Sequence, residues 1–542
     1  MRSLWRLISW KNLPRHNVFL SGTAGNRMDR NGALALEAGH LTGPVGAAGR
    51  PAITPVLIRT HARTRIINVW LIVVVLVGAV IAVADGLTRT SIFDRKEVWT
   101  GPLEYAPYWA VVLFAGITLP LMIAYAHKAR VSVTEGLFLW FAFCTAVYTR
   151  DFSYVRLPGA PLFVTDVVLV VLLISIFLLR RRRHAHFPLP VSVLLFLLLG
   201  AGAIAAARGF LGHREITMVL RDSALVGYAL FLLVGYHLFR TWLSIKRVAV
   251  WILLGAALAA LNGFAWFIVV PEERRFIYYG IYILISLAGT VVAMATRLLR
   301  PRVGWIFVGV LCLGLMLANT RSLFVSLAIL LLVGLLGGGG VYKKFQPAHL
   351  VATLVASTVL VTLAAFLFLH TKTGREFAER STDELASGVL NSGEDANWQF
   401  RLSAWKEAWR RFEEYPLAGE GFGVPFVFDL EHYDHFDPRA HNTFLTVLYK
   451  MGLTGFLPVL ALLSFFFWVT LRAVHGNLRN RLVAFLQIVF FGQLAFCIYG
   501  MANLVLESPF LASLFWTAMG LGLRMVRMLD FERSLRKYNY GH

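Results

Sequence analysis

The chain has 542 residues, of which 58% are hydrophobic and only 15% charged, with a formal net charge of +22 and a mean hydropathy of +0.66. Too few charges are present to solvate a globule of this size, which excludes a soluble domain, and solid apolar blocks in place of short alternating segments exclude a β-barrel. The basic residues sit in short clusters between those blocks, with no basic domain carrying interleaved aromatics, so the charge speaks for membrane topology and against nucleic acid.

Residues 1–65 are rich in Gly, Ala and Arg, with ten Lys or Arg against Asp29 and Glu37. The first apolar block starts too late for a signal peptide. Leu4, Trp5, Leu7, Ile8 and Trp10 suit a short interfacial helix on anionic lipid, and a basic, disordered cytoplasmic extension is the other reading.

A spanning helix takes about 20 apolar residues. Candidate spans are 66–85, 107–126, 132–149, 162–180, 188–207, 219–238, 248–270, 276–297, 303–319, 321–338, 348–370, 443–471, 482–503 and 509–527. The segment 132–149 contains Glu135, and the pair meeting at Asn319-Thr320-Arg321 also reads as one bent element, so the expected fold is an all-α polytopic membrane protein of 12 to 14 transmembrane helices. Its expected parts are a basic extension 1–65, a helical region 66–370, a large loop 371–440, C-terminal spans 441–528 and a basic tail 529–542.

With the N-terminus inside, every cytoplasmic connection is basic: His127 to Arg130, Arg180 to Arg183, Arg240 to Arg247, Arg297 to Arg302, Lys343-Lys344 and Arg472 to Arg481. The positive-inside rule therefore puts both termini in the cytoplasm and the 371–440 loop outside. Cys144, Cys312 and Cys497 fall inside apolar runs and read as small buried residues.

Arginine is disfavoured on the outer side, so its positions there are informative: Arg150 and Arg156, then Arg208, Arg214 and Arg221 beside His213, then Arg274 and Arg275, Arg321, Arg401 and Arg439. An anionic ligand is one cause, because a guanidinium forks onto phosphate oxygens and stays charged. Arg221 and Arg321 are embedded near the outer ends of apolar runs, where a charge is costly. Snorkelling to headgroups, or pairing with a neighbour such as Asp222, is the alternative for each.

Within the loop, Leu402, Trp405, Trp409 and Phe412 recur at helical spacing and predict an amphipathic helix packed on its apolar face. Pro416 to Gly423 then forces a turn and brings backbone close to whatever lies beneath. Glu431, His432, Asp434, His435, Asp437 and His441 have a ligand-like composition but match no metal-ligand spacing, and a solvated acidic loop is the better reading. There is also no Asp-x-Asp to hold a metal on a nucleotide-sugar diphosphate, so no metal or other cofactor is expected. His441 either merely precedes a helix cap made by Asn442 and Thr443, or sits at the membrane–water boundary to take a proton from an attacking hydroxyl.

Four separate motifs resemble those of the O-antigen ligase and O-antigen polymerase superfamily of bacterial envelope glycan transferases. They are Asn319-Thr320-Arg321-Ser322, Arg401-Leu402-Ser403-Ala404-Trp405, the Pro416 to Gly423 stretch, and His441-Asn442-Thr443-Phe444-Leu445 followed by Gly452-Leu453-Thr454-Gly455. The resemblance covers roughly residues 303–528; upstream, only the helical layout and the Arg214/Arg221 region compare. Thr320 stands where the family has Ser, and the basic extension and the number of spans exceed the usual pattern.

The resemblance implies a GT-C-like membrane glycosyltransferase on the periplasmic face of the bacterial inner membrane. Such an enzyme moves a glycan from an undecaprenyl diphosphate carrier to a glycan or lipid A-core hydroxyl. Arg214, Arg221, Arg321 and Arg401 are expected to bind the donor diphosphate, and His441 and Arg321 to be catalytic, with Asn442, Arg439 and Trp405 positioning acceptor and loop. A transporter or flippase for a lipid-linked glycan is the rival reading; it should spread charge along a path through the bilayer, whereas Glu135 and Asp166 are the main charges expected inside the spans.

Overall fold

The computed structural model describes residues 55–88, 109–156, 162–177, 187–269, 280–296, 298–318, 320–336, 396–426, 439–475 and 481–540. The Leu4–Trp10 segment, Arg274 and Arg275, the 348–370 span and the acidic cluster 431–437 lie outside the described residues, as does the side chain of Arg321.

Thirteen of the fourteen expected spans correspond to helices. In chain order these are α1 (Pro55–Thr88), α2 (Trp109–Ala129), α3 (Val133–Ser153), α4 (Val164–Phe177), α5 (Leu189–Leu211), α6 (Ile216–Gly227), α7 (Phe231–Leu238), α8 (Trp242–Val269), α9 (Gly280–Ala295), α10 (Pro301–Ala318) and α11 (Arg321–Leu336). The loop helix α12 (Ala396–Glu414) follows, then α13 (Thr443–His475), α14 (Arg481–Gly500) and α15 (Pro509–Tyr540). A 3-10 turn, Tyr228–Leu230, joins α6 to α7. α10 and α11 are two helices and not one bent element.

Among the described residues nine helices are long and apolar enough to cross a membrane, and α4 and α9 are shorter apolar helices. No strand occurs among them, only an isolated bridge between Arg156 and Phe163. The protein is an all-α, multi-pass membrane protein.

Two helices organise the bundle. α8 packs against α1, α3 and α10, and α15 against α7, α13 and α14. Lipid tails are as apolar as leucine, so helix association here rests on close backbone approach and internal hydrogen bonds. At the α7–α15 crossing a Cβ on Gly235 would strike the Thr517 carbonyl, and one on Gly520 the Leu232 carbonyl. Two carboxylates inside the bundle are hydrogen-bonded. Glu135 on α3 accepts from Arg247 at 2.6 Å and from Ser244 at 3.1 Å, both on α8. Asp166 on α4 accepts from the Tyr228 hydroxyl at 2.9 Å and the Phe163 N–H at 2.8 Å.

Candidate active site

α13 is broken one third of the way along. Gly452 adopts φ +61° and ψ −161° inside the helix, which interrupts the ladder and frees two carbonyls before it and two N–H groups after it. Freed backbone groups in an apolar setting must find partners. The Pro416 to Gly423 stretch supplies them: Leu453 N–H donates to the Pro416 carbonyl at 2.9 Å and Thr454 N–H to the Leu417 carbonyl at 3.0 Å. In the other direction Glu420 N–H donates to the Tyr449 carbonyl at 2.7 Å and Gly421 N–H to the Lys450 carbonyl at 3.0 Å. The loop thus replaces a turn of helix. Side chains at Gly419 or Gly452 would collide with the backbone of the other segment, so the two glycine motifs are one construction.

The loop continues onto α5 and α6. Phe422 N–H donates to the Ala205 carbonyl at 3.0 Å, the Arg208 guanidinium donates to the Gly419 carbonyl, and Gly423 N–H donates to Asp222 at 2.8 Å. The other oxygen of Asp222 takes Lys450, in an ion pair with little solvent access. Lys450 lies inside the α13 span and is 8% exposed. It corrects the expectation that Glu135 and Asp166 are the main charges in the spans: a cation is tolerated there because α6 brings it a carboxylate.

α12 is joined to the same loop by charge. Arg411 is buried; it donates to Glu407 at 2.7 Å, Glu420 at 3.0 Å and the Pro425 carbonyl at 3.0 Å. Burial disfavours its charge, but the bonds to Glu407 and Glu420 outweigh that and raise its pKa. Hydrogen bonds from Arg410, reinforced by Arg411, hold the Glu407 carboxyl below the usual carboxylate range against the opposing effect of burial.

The packed face of α12 differs from the expected one. Phe400, Ala404, Ala408 and Arg411 are buried, with the two alanines set against Phe426, Ala440 and Tyr449. Of the four residues expected to pack, Phe412 joins this cluster, whereas Leu402 and Trp409 are 38% and 47% exposed. Small side chains let α12 lie close to α13, an advantage that a search for large apolar residues misses.

His441 sits where these elements converge. Its backbone is in the left-handed region, φ +45°, which is uncommon for a residue with a Cβ and is found where surroundings hold it in place. Asn442 makes the cap of α13, accepting from Phe444 N–H at 3.0 Å and Leu445 N–H at 3.1 Å. The cap reading therefore holds for Asn442, and the tight backbone ahead of it sets the direction of His441. The imidazole lies 5.8 Å from the Phe400 ring of α12, centroid to centroid.

The 500–508 turn between α14 and α15 ties this corner together. The Thr443 hydroxyl donates to the Asn503 carbonyl at 2.9 Å and accepts from Val505 N–H at 2.6 Å. Asn503 donates to the Ser322 hydroxyl at 3.1 Å, which fixes the first turn of α11 directly after Arg321. Arg401 donates to the Ala502 carbonyl at 2.9 Å. The Arg401 guanidinium, and the chain next to Arg321 and His441, are thereby tied to one turn.

Arg214 and Arg221 belong to a second group, beside the loop. Arg214 Cβ lies 3.0 Å from where a Cβ on Gly423 would be, and Arg221 precedes the clamped Asp222; both arginines are exposed. Tyr449 lies within electrostatic reach of Asp222, Arg411 and Glu420 beside the loop and of Glu507 in the turn. Arg439 and Trp405 are partly buried.

Sequence reasoning missed Lys450, the Arg411–Glu420 bridge and the Thr443–Asn503–Ser322 chain. A lysine within an apolar run was the available signal for the first. The Arg411–Glu420 bridge crosses nine positions of irregular chain and matches no helical spacing, and the Thr443–Asn503–Ser322 chain joins positions 60 and 181 apart.

Residues 305–460, which run from α10 through the first half of α13, match the family model described as O-antigen ligase. No curated protein matches the chain.

Proposed function

We propose, on the premise that the chain carries the O-antigen ligase domain over residues 305–460, that it is a membrane transferase joining a carrier-linked glycan to an acceptor hydroxyl. The reading follows from the convergence of Arg401, His441 and the first turn of α11 on the 500–508 turn, inside and beside the matched region. It places the reaction on the periplasmic side of the bacterial inner membrane, with both termini cytoplasmic.

In this reading the donor is a glycan on undecaprenyl diphosphate. The acceptor oxygen forms a bond to the anomeric carbon while the bond from that carbon to the diphosphate oxygen breaks. His441 takes the hydroxyl proton, and the electron pair leaves with undecaprenyl diphosphate. Negative charge gathers on the leaving diphosphate, and Arg321 and Arg401, with Arg214 and Arg221 from the loop side, oppose it. A single displacement inverts the anomeric centre. Diphosphate is already a competent leaving group, so arginine charge and a positioned base are sufficient. Asn442 holds the start of α13, and Arg439 and Trp405 order the loop and the acceptor.

Purified protein in detergent, given undecaprenyl diphosphate-linked oligosaccharide and acceptor, tests this. Transfer without any gradient is expected, and it removes the flippase alternative; absence of transfer, with intact donor and acceptor recovered, removes the transferase. In cells lacking the gene, loss of all long chains from the lipid anchor identifies a ligase, and a single attached repeat a polymerase.

A further inference from the structure

The packing of α12 through small residues leaves its tryptophan face outward. Leu402, Trp405 and Trp409 of α12 meet Leu445 of α13 in an open groove of about 380 Å³, with Lys406 and Glu413 on the rim. This volume is within the range of small-ligand sites, about 300–1,000 Å³. Leu445 lies four positions after His441 in the chain, in the first turn of α13.

Two observations say what occupies it. First, the Trp405 indole Nε1 is buried without a hydrogen-bond partner among the described residues, a donor that hydrocarbon cannot satisfy and a hydroxyl can. Second, the rim has no cationic excess. Arg410 is taken by Glu407 and Glu414, and Trp409 Nε1 donates to Glu413 at 2.7 Å, so the two cations that line the groove, Lys406 and Arg410, share this stretch of α12 with three carboxylates. Anionic headgroups are not drawn to such a surface. Indole faces edged by hydrogen-bonding groups instead suit a pyranose ring, whose C–H face packs on the aromatic while its hydroxyls reach the rim.

We propose that this groove is a saccharide subsite, seating a sugar residue of the transferred or accepting glycan at a distance from the diphosphate. The proposal rests on the transferase reading above and adds to it a place where the glycan itself is recognised.

The test uses full-length protein in detergent with donor and acceptor glycolipids extracted from a strain lacking this gene. Trp409→Ala is expected to raise the apparent KM for one of the two by about tenfold with kcat nearly unchanged, the loss of uniform binding; which KM rises tells donor sugar from acceptor sugar. Trp409→Phe, which keeps a stacking face, should restore most of it, and binding of sugar-free undecaprenyl diphosphate should be the same in all three proteins. Unchanged KM for both glycolipids in Trp409→Ala, with normal wild-type turnover, overturns the subsite alone. So does a nitroxide on Lys406→Cys in nanodiscs that meets lipid-dissolved oxygen more readily than an aqueous nickel chelate, since the groove then faces the bilayer. If wild-type protein neither transfers glycan nor binds undecaprenyl diphosphate, the transferase reading fails with it.

Discussion

Glu420 N–H donates to the Tyr449 carbonyl at 2.7 Å, across the gap that Gly452 opens in α13. The loop is held by the broken helix, and the helix is completed by the loop. Neither can be altered alone. Gly452→Ala should therefore do more than strain a residue in the positive-φ extended region, which by itself costs about 1–3 kcal/mol; its Cβ also meets the Leu417 carbonyl. The expected result is a lower thermal midpoint and faster proteolysis within residues 415–426. A midpoint and cleavage pattern equal to wild type would show that the loop is not seated in the break.

Asp222 and Lys450 form the ion pair beneath that loop. Lys450→Met leaves the carboxylate without its cation, and breaking a buried pair costs at most about 3–5 kcal/mol. Asp222→Asn combined with Lys450→Met should recover stability that Lys450→Met alone loses, giving a coupling of at least about 1 kcal/mol in a double-mutant cycle. Additive losses in chemical unfolding of the four proteins would deny the pairing.

Acidification should loosen α12 from the loop. The Glu407 carboxyl is depressed in the folded protein by Arg410 and Arg411, so its contribution is complete above its unfolded value, about 4.3, and is lost as pH falls through the lower folded value. The midpoint difference between wild type and Glu407→Gln should accordingly be constant from neutral pH down to that region and shrink below it. A difference that grows on acidification contradicts the assignment.

Thr443 donates to Asn503 and accepts from Val505. Thr443→Val keeps the shape and strands the Val505 N–H, a loss of about 1–3 kcal/mol. Because the same turn holds Ser322 and Arg401, transfer should fall further than stability alone explains, measured as kcat at a temperature where both proteins are folded. Equal kcat would uncouple the turn from the reaction.

Much of the bundle could be read from apolar runs because each span is a local property of its own residues. The four motifs were legible for the same reason, and Asn442 was recognisable as a cap from its type and place. What escaped was pairing at a distance. Ala404 and Ala408 pack because they are small, and hydrophobic periodicity favours Trp405 and Trp409 instead. Asp222 was weighed as a partner for its neighbour Arg221, whereas its carboxylate takes Lys450, 228 positions away. Gly452 stood in a recognised motif, yet only its contact with Leu417 and Gly419 explains why glycine is required there.

The central claim is that arginines grip the donor diphosphate beside a histidine that activates the acceptor. It is tested most directly by measuring donor binding and glycan transfer together in purified Arg321→Ala and His441→Ala proteins. The account predicts that both insert into membranes normally and form no product, that Arg321→Ala binds undecaprenyl diphosphate-linked oligosaccharide weakly, and that His441→Ala binds it as wild type does. Wild-type yields of product from both variants would contradict it.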